Sequence, residues 1–124
     1  MARHAVAVIL PAFNEAATVA AVIEHFHRSL PDAFLCLVDN ASTDGTGSIA
    51  SEHLRKLGAP GLVLLETARG KANAIRRAFL EVDADVYLMA DADLTYPADE
   101  ARKLLDPVVR GDADMVVGDR ISAG

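Results

Sequence analysis

Two aspartates follow a short apolar run in the last third of the chain. The run ends at Ala90, and Asp91 and Asp93 come directly after it, one residue apart. Its length and composition are typical of a buried strand. In extended backbone the side chains of residues i and i+2 point to the same side, so these two carboxylates repel each other unless a cation lies beside them. Mg²⁺ and Mn²⁺ bind one or two protein carboxylates and complete their shell with water and phosphate oxygens.

The aspartate pair has two interpretations. At the carboxyl end of a buried strand, it is a candidate binding site for a metal-bound diphosphate, because ligands of open α/β sheets bind at that edge. An Asp-x-Asp sequence also arises by chance, and polar residues after a strand commonly do no more than start a loop. The surrounding elements decide between these interpretations.

Composition excludes several classes of protein. The 124 residues are 52% apolar and 24% charged, which indicates one globular domain with a real core. The net charge of −6 and the absence of a basic patch argue against a nucleic-acid partner. An anionic ligand therefore needs a metal, a lysine or an arginine. The single cysteine, Cys36, lies in an apolar run and is expected to be a core residue in a reducing compartment.

Apolar runs with strand and helix periodicity alternate along the chain. This alternation predicts an α/β fold of three layers, with a mostly parallel sheet between helices. Pro11 is expected to end the first strand, and Ile49 and Phe79 are expected to face inward from their helices. The predicted strands cover residues 5–10, 33–38, 62–66, 86–90 and 115–117, and the predicted helices cover 16–29, 46–57, 71–80 and 97–110.

The segments that follow four of these strands are all polar. Right-handed crossovers bring the carboxyl ends of parallel strands to one edge of the sheet, so these segments are expected to meet there. They are residues 11–15, 39–44, 91–95 and 118–120. An ordinary loop edge is polar as well, so the pattern supports a binding site without proving one.

The ordered motifs resemble family 2 glycosyltransferases of the GT-A fold, a Rossmann-like nucleotide-binding fold. Within that family they are most similar to the polyprenyl-phosphate sugar transferases, the dolichyl-phosphate mannosyltransferase-like group. The resemblance covers nearly the whole chain, and each motif lies on the expected element. The motifs are Pro11-Ala12-Phe13-Asn14-Glu15, Val38-Asp39-Asn40-Ala41-Ser42-Thr43-Asp44-Gly45-Thr46, Gly70-Lys71, Asp91-Ala92-Asp93 and Gly118-Asp119-Arg120.

The resemblance implies a metal-dependent transfer of sugar from a UDP- or GDP-sugar to an acceptor, such as a polyprenyl phosphate. Asp91 and Asp93 match the family's DXD motif for Mg²⁺ or Mn²⁺, with Asp93 the better candidate for direct ligation. Asn40 replaces the family's commoner second aspartate, and Asp44 is expected to start a helix. No catalytic base is identified. The nucleotide-sugar residues implied are Pro11, Phe13, Glu15, Asp39, Asn40, Lys71, Asp91, Ala92 and Arg120.

The resemblance also implies how the chain is organised. Residues 1–124 are expected to form a single nucleotide-sugar-binding domain that ends before the acceptor-binding half, and to transfer no sugar alone. Membrane association is expected only through parts absent from this chain. The expected location is cytoplasmic, at the inner face of the membrane in a full-length protein. Formation of a homo-oligomer is left open.

Two other functions suit the length and alternation. A receiver-like signalling domain needs an acidic pair after the first strand, where this chain has Pro11 to Glu15. A sugar-nucleotidyltransferase needs a glycine-rich basic loop at that position, and the sequence has none. Both remain alternatives to the glycosyltransferase at this point.

Overall fold

Strands and helices alternate in the order expected from the sequence. The structure, a computed structural model, describes residues 3–92 together with the backbone of residues 116–117, so the predicted helix 97–110 lies outside it. Within this part no helix is both long and apolar enough to cross a bilayer. The elements are β1 (His4–Ala12), α1 (Val19–Ser29), β2 (Phe34–Asp39), α2 (Thr46–Leu57), β3 (Gly61–Leu65), α3 (Lys71–Glu81), β4 (Ala84–Met89) and β5 (Val116–Val117).

All strand pairs in the sheet are parallel, and the strand order is β3-β2-β1-β4-β5. The chain runs outward from β1 through β2 to β3, then returns to the other side of β1 to form β4. The direction of winding therefore reverses between β1 and β4, and a crevice opens at such a point beyond the carboxyl ends of the strands. The prediction of an α/β fold with a parallel sheet is confirmed.

The central strand β1 divides the core in two, because its successive side chains point to opposite faces of the sheet. Val8 and Leu10 pack with residues of α1 and α2 on one face. Ala7 and Ile9 pack on the other face with α3 and with Cys36, which is fully buried. Burial raises the pKa of the Cys36 thiol to about 12, so it stays protonated and behaves as a packing residue.

The prediction that Pro11 ends the first strand is wrong. β1 continues through Pro11 and Ala12, which pair in register with Val38 and Asp39 of β2. On the other side of β1, the paired register with β4 ends at Ile9 and Met89, and the Ala90 amide donates to the Ile9 carbonyl. Pro11 lies beyond this register, so its missing amide hydrogen removes no hydrogen bond from the paired part of β1 and β4.

Three details of the helices also differ from the sequence prediction. α1 begins at Val19 rather than Ala16, because the chain first makes a turn in which Thr18 and Val19 donate to the Glu15 carbonyl. Ile49 and Phe79 do not face fully inward and are 37% and 39% exposed. Smaller residues fill the inward positions of these helices: Ala50 on α2, and Ala74 and Ala78 on α3.

Gly61, the first residue of the edge strand β3, allows close contact with β2. A Cβ atom at this position would lie 2.4 Å from the backbone oxygen of Leu35. That oxygen cannot move away easily, because the backbone of Leu35 is held by a hydrogen bond from its amide to the Pro60 carbonyl at 2.9 Å. We expect Gly61→Ala to lower the free energy of unfolding by about 1–3 kcal/mol, as overpacking does. Urea denaturation measures the change, and an unaltered midpoint would contradict the assigned contact.

Candidate functional site

A cleft of about 300 Å³ lies at the carboxyl edge of the sheet, beside the ends of β1 and β4. The segment after β1, the segment after β4 and the start of α3 form its walls. This is the place where the reversal of winding predicts a ligand site. The lining residues are Pro11, Ala12, Phe13, Glu15, Asn40, Lys71, Asp91 and Ala92.

An ion pair crosses this cleft. The Lys71 ammonium, on the first residue of α3, lies 2.7 Å from Oδ1 of Asp91, just after β4. The Asp91 side chain is 22% exposed and that of Lys71 is 55% exposed, so the pair opens to solvent on the lysine side. A positive group is thus held beside a carboxylate at the sheet edge, as the binding of a metal-bound anion requires.

The loops after β1 and β2 are joined by bonds between side chains and backbone. Asn14 has a left-handed φ of 54°. Its amide donates to the Ser42 hydroxyl at 2.9 Å, and its side-chain oxygen accepts from the Thr43 amide at 2.8 Å. The Glu15 amide donates to Oγ1 of Thr46 at 2.9 Å. These bonds fix the wall that carries Phe13 and Glu15.

Asp44 supports the same junction and lies two residues before α2, where it accepts a hydrogen bond from the first amide of the helix, which agrees with the predicted helix-start role. Its carboxylate accepts from the amides of Ala16 and Thr46. The hydroxyl of Thr46, with these amides, lowers the pKa of Asp44. A carboxylate occupied in this way is a structural group rather than a ligand.

Asn40 is the buried amide of the site and is 6% exposed. Its Nδ2 donates to the carbonyls of Glu66 and Ala68, at 3.0 and 2.9 Å, and its Oδ1 accepts from the Gly70 amide at 2.9 Å. The end of β2 is thereby tied to the loop that leads from β3 to Lys71.

Phe13 forms the outer rim of the cleft and is partly exposed. The guanidinium carbon of Arg69 lies 4.2 Å from the centre of its ring, which is within the range of a cation–π contact. A flat aromatic face and a cation thus stand together at the mouth of the cleft.

The structure brings together seven of the nine residues predicted to bind the nucleotide-sugar. Asp39 does not line the cleft; its Oδ1 accepts from the Ser42 amide at 3.0 Å. Arg120, like the metal candidate Asp93, lies outside the described residues. The ligand roles of all nine residues, and of Asp93, stay predictions.

Three contributors to the site were not predicted from the sequence. Thr18 donates from its hydroxyl to the Ala92 carbonyl at 3.0 Å, which ties the start of α1 to the segment after β4. The Thr46 hydroxyl accepts a hydrogen bond from the Glu15 amide, and the Arg69 guanidinium lies over the Phe13 ring. The only available signals were that Thr18 and Thr46 begin helices and that Arg69 is basic beside Gly70-Lys71.

The donor set of the cleft suits a hard divalent cation shared with phosphate. Among the described residues no group of three His, Cys, Asp or Glu side chains could hold a metal by itself. Mg²⁺ and Mn²⁺ need only one or two carboxylates when phosphate oxygens complete the shell. Asp91 is one carboxylate of the cleft that could serve in this way, and the Lys71 ammonium beside it carries the positive charge that a phosphate could contact.

A family comparison identifies what kind of protein carries this cleft. The family model described as Glycosyl transferase family 2 matches residues 7–124, nearly the full chain. This chain belongs to glycosyltransferase family 2. The receiver-like and nucleotidyltransferase alternatives are not favoured by that match.

Curated relatives of this glycosyltransferase agree with the family. Protein RfbJ of Shigella flexneri is 40% identical over 96% of this chain and 88% of its own length. Glycosyltransferase AglJ of Haloferax volcanii is 38% identical over 95% of this chain, which spans 37% of AglJ. Polyprenol monophosphomannose synthase of Mycolicibacterium smegmatis is 30% identical over 94% of this chain, which spans 45% of the synthase.

Solved structures similar to this glycosyltransferase contain donors and metal. The mannosyltransferase PcManGT of Pyrobaculum calidifontis, in complex with GDP-Man and Mn²⁺, aligns with a TM-score of 0.72 at 29% identity over 86% of this chain and 33% of PcManGT. Glucosyl-3-phosphoglycerate synthase of Mycobacterium tuberculosis, in complex with Mn²⁺, UDP-Glc and phosphoglyceric acid, aligns at 0.70 with 26% identity, over 88% and 40% of the two chains. The GT-A, Rossmann-like fold is thereby established for this protein.

Proposed function

We propose that the cleft binds the nucleoside diphosphate of a UDP- or GDP-sugar together with Mg²⁺ or Mn²⁺. The observation that carries the proposal is the ion pair between Lys71 and Asp91 in the cleft at the sheet edge. The Lys71 nitrogen lies 2.7 Å from Oδ1 of Asp91. Similar structures hold GDP-Man or UDP-Glc with Mn²⁺. The chain's net charge of −6 makes such local charge necessary for an anionic donor.

Each wall of the cleft has a distinct role in this proposal. Phe13 and Glu15 border the base and ribose, whereas Asp91 and Asp93 hold the metal. A cation held by these carboxylates would supply positive charge to the departing diphosphate, which would lower the barrier to transfer. Lys71, with Arg120, binds the same diphosphate oxygens, and a guanidinium suits such oxygens by its two-pronged geometry.

For the acceptor we propose a polyprenyl phosphate. One curated relative is named as a synthase of polyprenol monophosphomannose. A phosphate is already ionised near neutral pH, so it attacks the anomeric carbon without a general base. This suits a cleft whose described carboxylates, Glu15 and Asp91, are assigned to ribose and metal.

Calorimetric titration tests donor binding. We expect UDP or GDP, or one of their sugars, to bind in the presence of Mn²⁺ and to lose most affinity when the metal is chelated. Equal affinity with and without Mn²⁺ would contradict the assigned metal, and no binding of either nucleotide would contradict the proposed donor site. A protein that joins this chain to an acceptor-binding half, given radiolabelled donor with a polyprenyl phosphate or with phosphoglyceric acid in parallel, distinguishes the two acceptor classes.

A further inference from the structure

We propose that Asn40 is a positioning residue that sets the place of Lys71 in the cleft. The amide of Asn40 clamps the loop between β3 and α3, residues 66–70, against the end of β2. In the family resemblance this residue was expected to touch the nucleotide; its bonds assign it a different task. The part of this proposal in which Lys71 binds the diphosphate rests on the proposed function.

The hydrogen bonds of Asn40 are committed to the loop. A side-chain amide has two N–H donors, and both are used, by the carbonyls of Glu66 at 3.0 Å and Ala68 at 2.9 Å. Its oxygen accepts from the Gly70 amide at 2.9 Å. Because the two carbonyls can only accept and the Gly70 amide can only donate, they identify which terminal atom of the side chain is nitrogen and which is oxygen. Asn40 therefore has no donor left for a ligand.

The clamped loop ends at Lys71. Gly70 takes a φ of 122°, a conformation that side chains rarely adopt, and Lys71 begins α3 at the next position. The Glu66 carboxylate accepts from the Ala68 amide at 2.8 Å, which tightens the same loop from within. Holding the Gly70 amide thus holds the backbone from which the lysine reaches Asp91 at 2.7 Å.

The same bonds explain why asparagine, rather than aspartate, serves at position 40. A carboxylate has no N–H, so one of its oxygens would face the carbonyls of Glu66 and Ala68 at about hydrogen-bond distance with no proton between them. The loop would have to move away, and Lys71 would move with it.

A double-mutant cycle tests this action through Lys71. The affinity of UDP or GDP, whichever the unmodified protein binds with Mn²⁺, is measured for Asn40→Asp, Lys71→Met and the double variant. We expect Asn40→Asp alone to weaken binding about tenfold, the usual effect of breaking a buried hydrogen bond near a charge. In the Lys71→Met background the same change is expected to cost less than about twofold, because the lysine it positions is gone.

Asn73→Asp is the matched control, because it makes the same chemical change two residues after Lys71. Asn73 is half-buried; its Nδ2 donates to the Arg69 carbonyl, and its Oδ1 accepts from Arg76. It reproduces the added negative charge without breaking the clamp, so a small effect is expected. Equal losses for Asn40→Asp with and without Lys71, or an equal loss for Asn73→Asp, would overturn the proposal.

Amide hydrogen exchange of the ligand-free protein separates this proposal from the donor assignment. We expect Asn40→Ala to speed exchange of the Gly70 amide at least tenfold, while amides of β1 and β2 keep their protection. An unchanged Gly70 rate would refute the clamp even if nucleotide binds. If neither UDP nor GDP binds the unmodified protein, the donor proposal fails, and the exchange rate still decides whether Asn40 holds the loop.

Discussion

In a protein that joins this chain to an acceptor-binding half, replacing Asp91 with asparagine is expected to lower the rate of sugar transfer by about 10²–10³-fold, the usual effect of removing one group that stabilises transition-state charge. The amide keeps the size of the side chain but loses the charge that pairs with Lys71 and that, in the proposed site, binds the cation. The variant should also lose most of its Mn²⁺-dependent affinity for the nucleotide. Steady-state kinetics and calorimetry measure the two effects.

Asp85→Asn is the matched control for this change. Asp85 lies near the start of β4, the strand that Asp91 follows, and it is exposed and paired with Arg3. Exposed ion pairs contribute little to stability, so this variant should keep the transfer rate and the fold. If Asp91→Asn retained metal-dependent binding, the carboxylate would not be a metal ligand.

Lys71→Met is expected to change two affinities in opposite directions. Without the nucleotide, the lysine competes with a metal ion for the Asp91 carboxylate, which it contacts at 2.7 Å. Its removal should therefore strengthen Mn²⁺ binding to the empty cleft by about two- to fivefold, a modest effect because the lysine is half exposed. The affinity of Mn²⁺ with UDP or GDP should fall, because the diphosphate loses a cation.

Electron paramagnetic resonance of free Mn²⁺ measures the first affinity, and calorimetry measures the second. Lys56→Met removes an exposed lysine from the last turn of α2, away from the cleft, and should change neither affinity. Weaker Mn²⁺ binding in Lys71→Met without nucleotide would mean that the lysine supports the metal site rather than competing for it.

The order of elements was predictable because each has a strong local pattern. The bounds of α2 agree with the prediction, since Gly45 and Gly58 mark its ends with left-handed backbone. The end of β1 was not predictable. Whether Pro11 breaks a strand depends on where the neighbouring strand stops, and that is a property of the sheet rather than of the local sequence.

Much of the cleft was also predictable, because parallel strands carry their following loops to one edge. The contact of Lys71 with Asp91 joins segments twenty residues apart. Asp91 had been assigned to that edge from the strand pattern, whereas Lys71 had been placed near the nucleotide only by the family resemblance. The roles of Asn40 and Arg69 were not predictable. They depend on how residues 66–70 fold back over β2, and residue types alone do not encode that path.

The segment that follows β2 supports both walls of the cleft. Ser42, Thr43 and Thr46 hold the loop after β1, while Asn40 holds the loop before α3. The two walls are therefore preorganised with respect to each other, and their conformational entropy is lost when the protein folds rather than when a ligand arrives. A donor that fits this fixed gap binds without an ordering penalty from either wall, whereas one of the wrong shape gains nothing from loop adjustment.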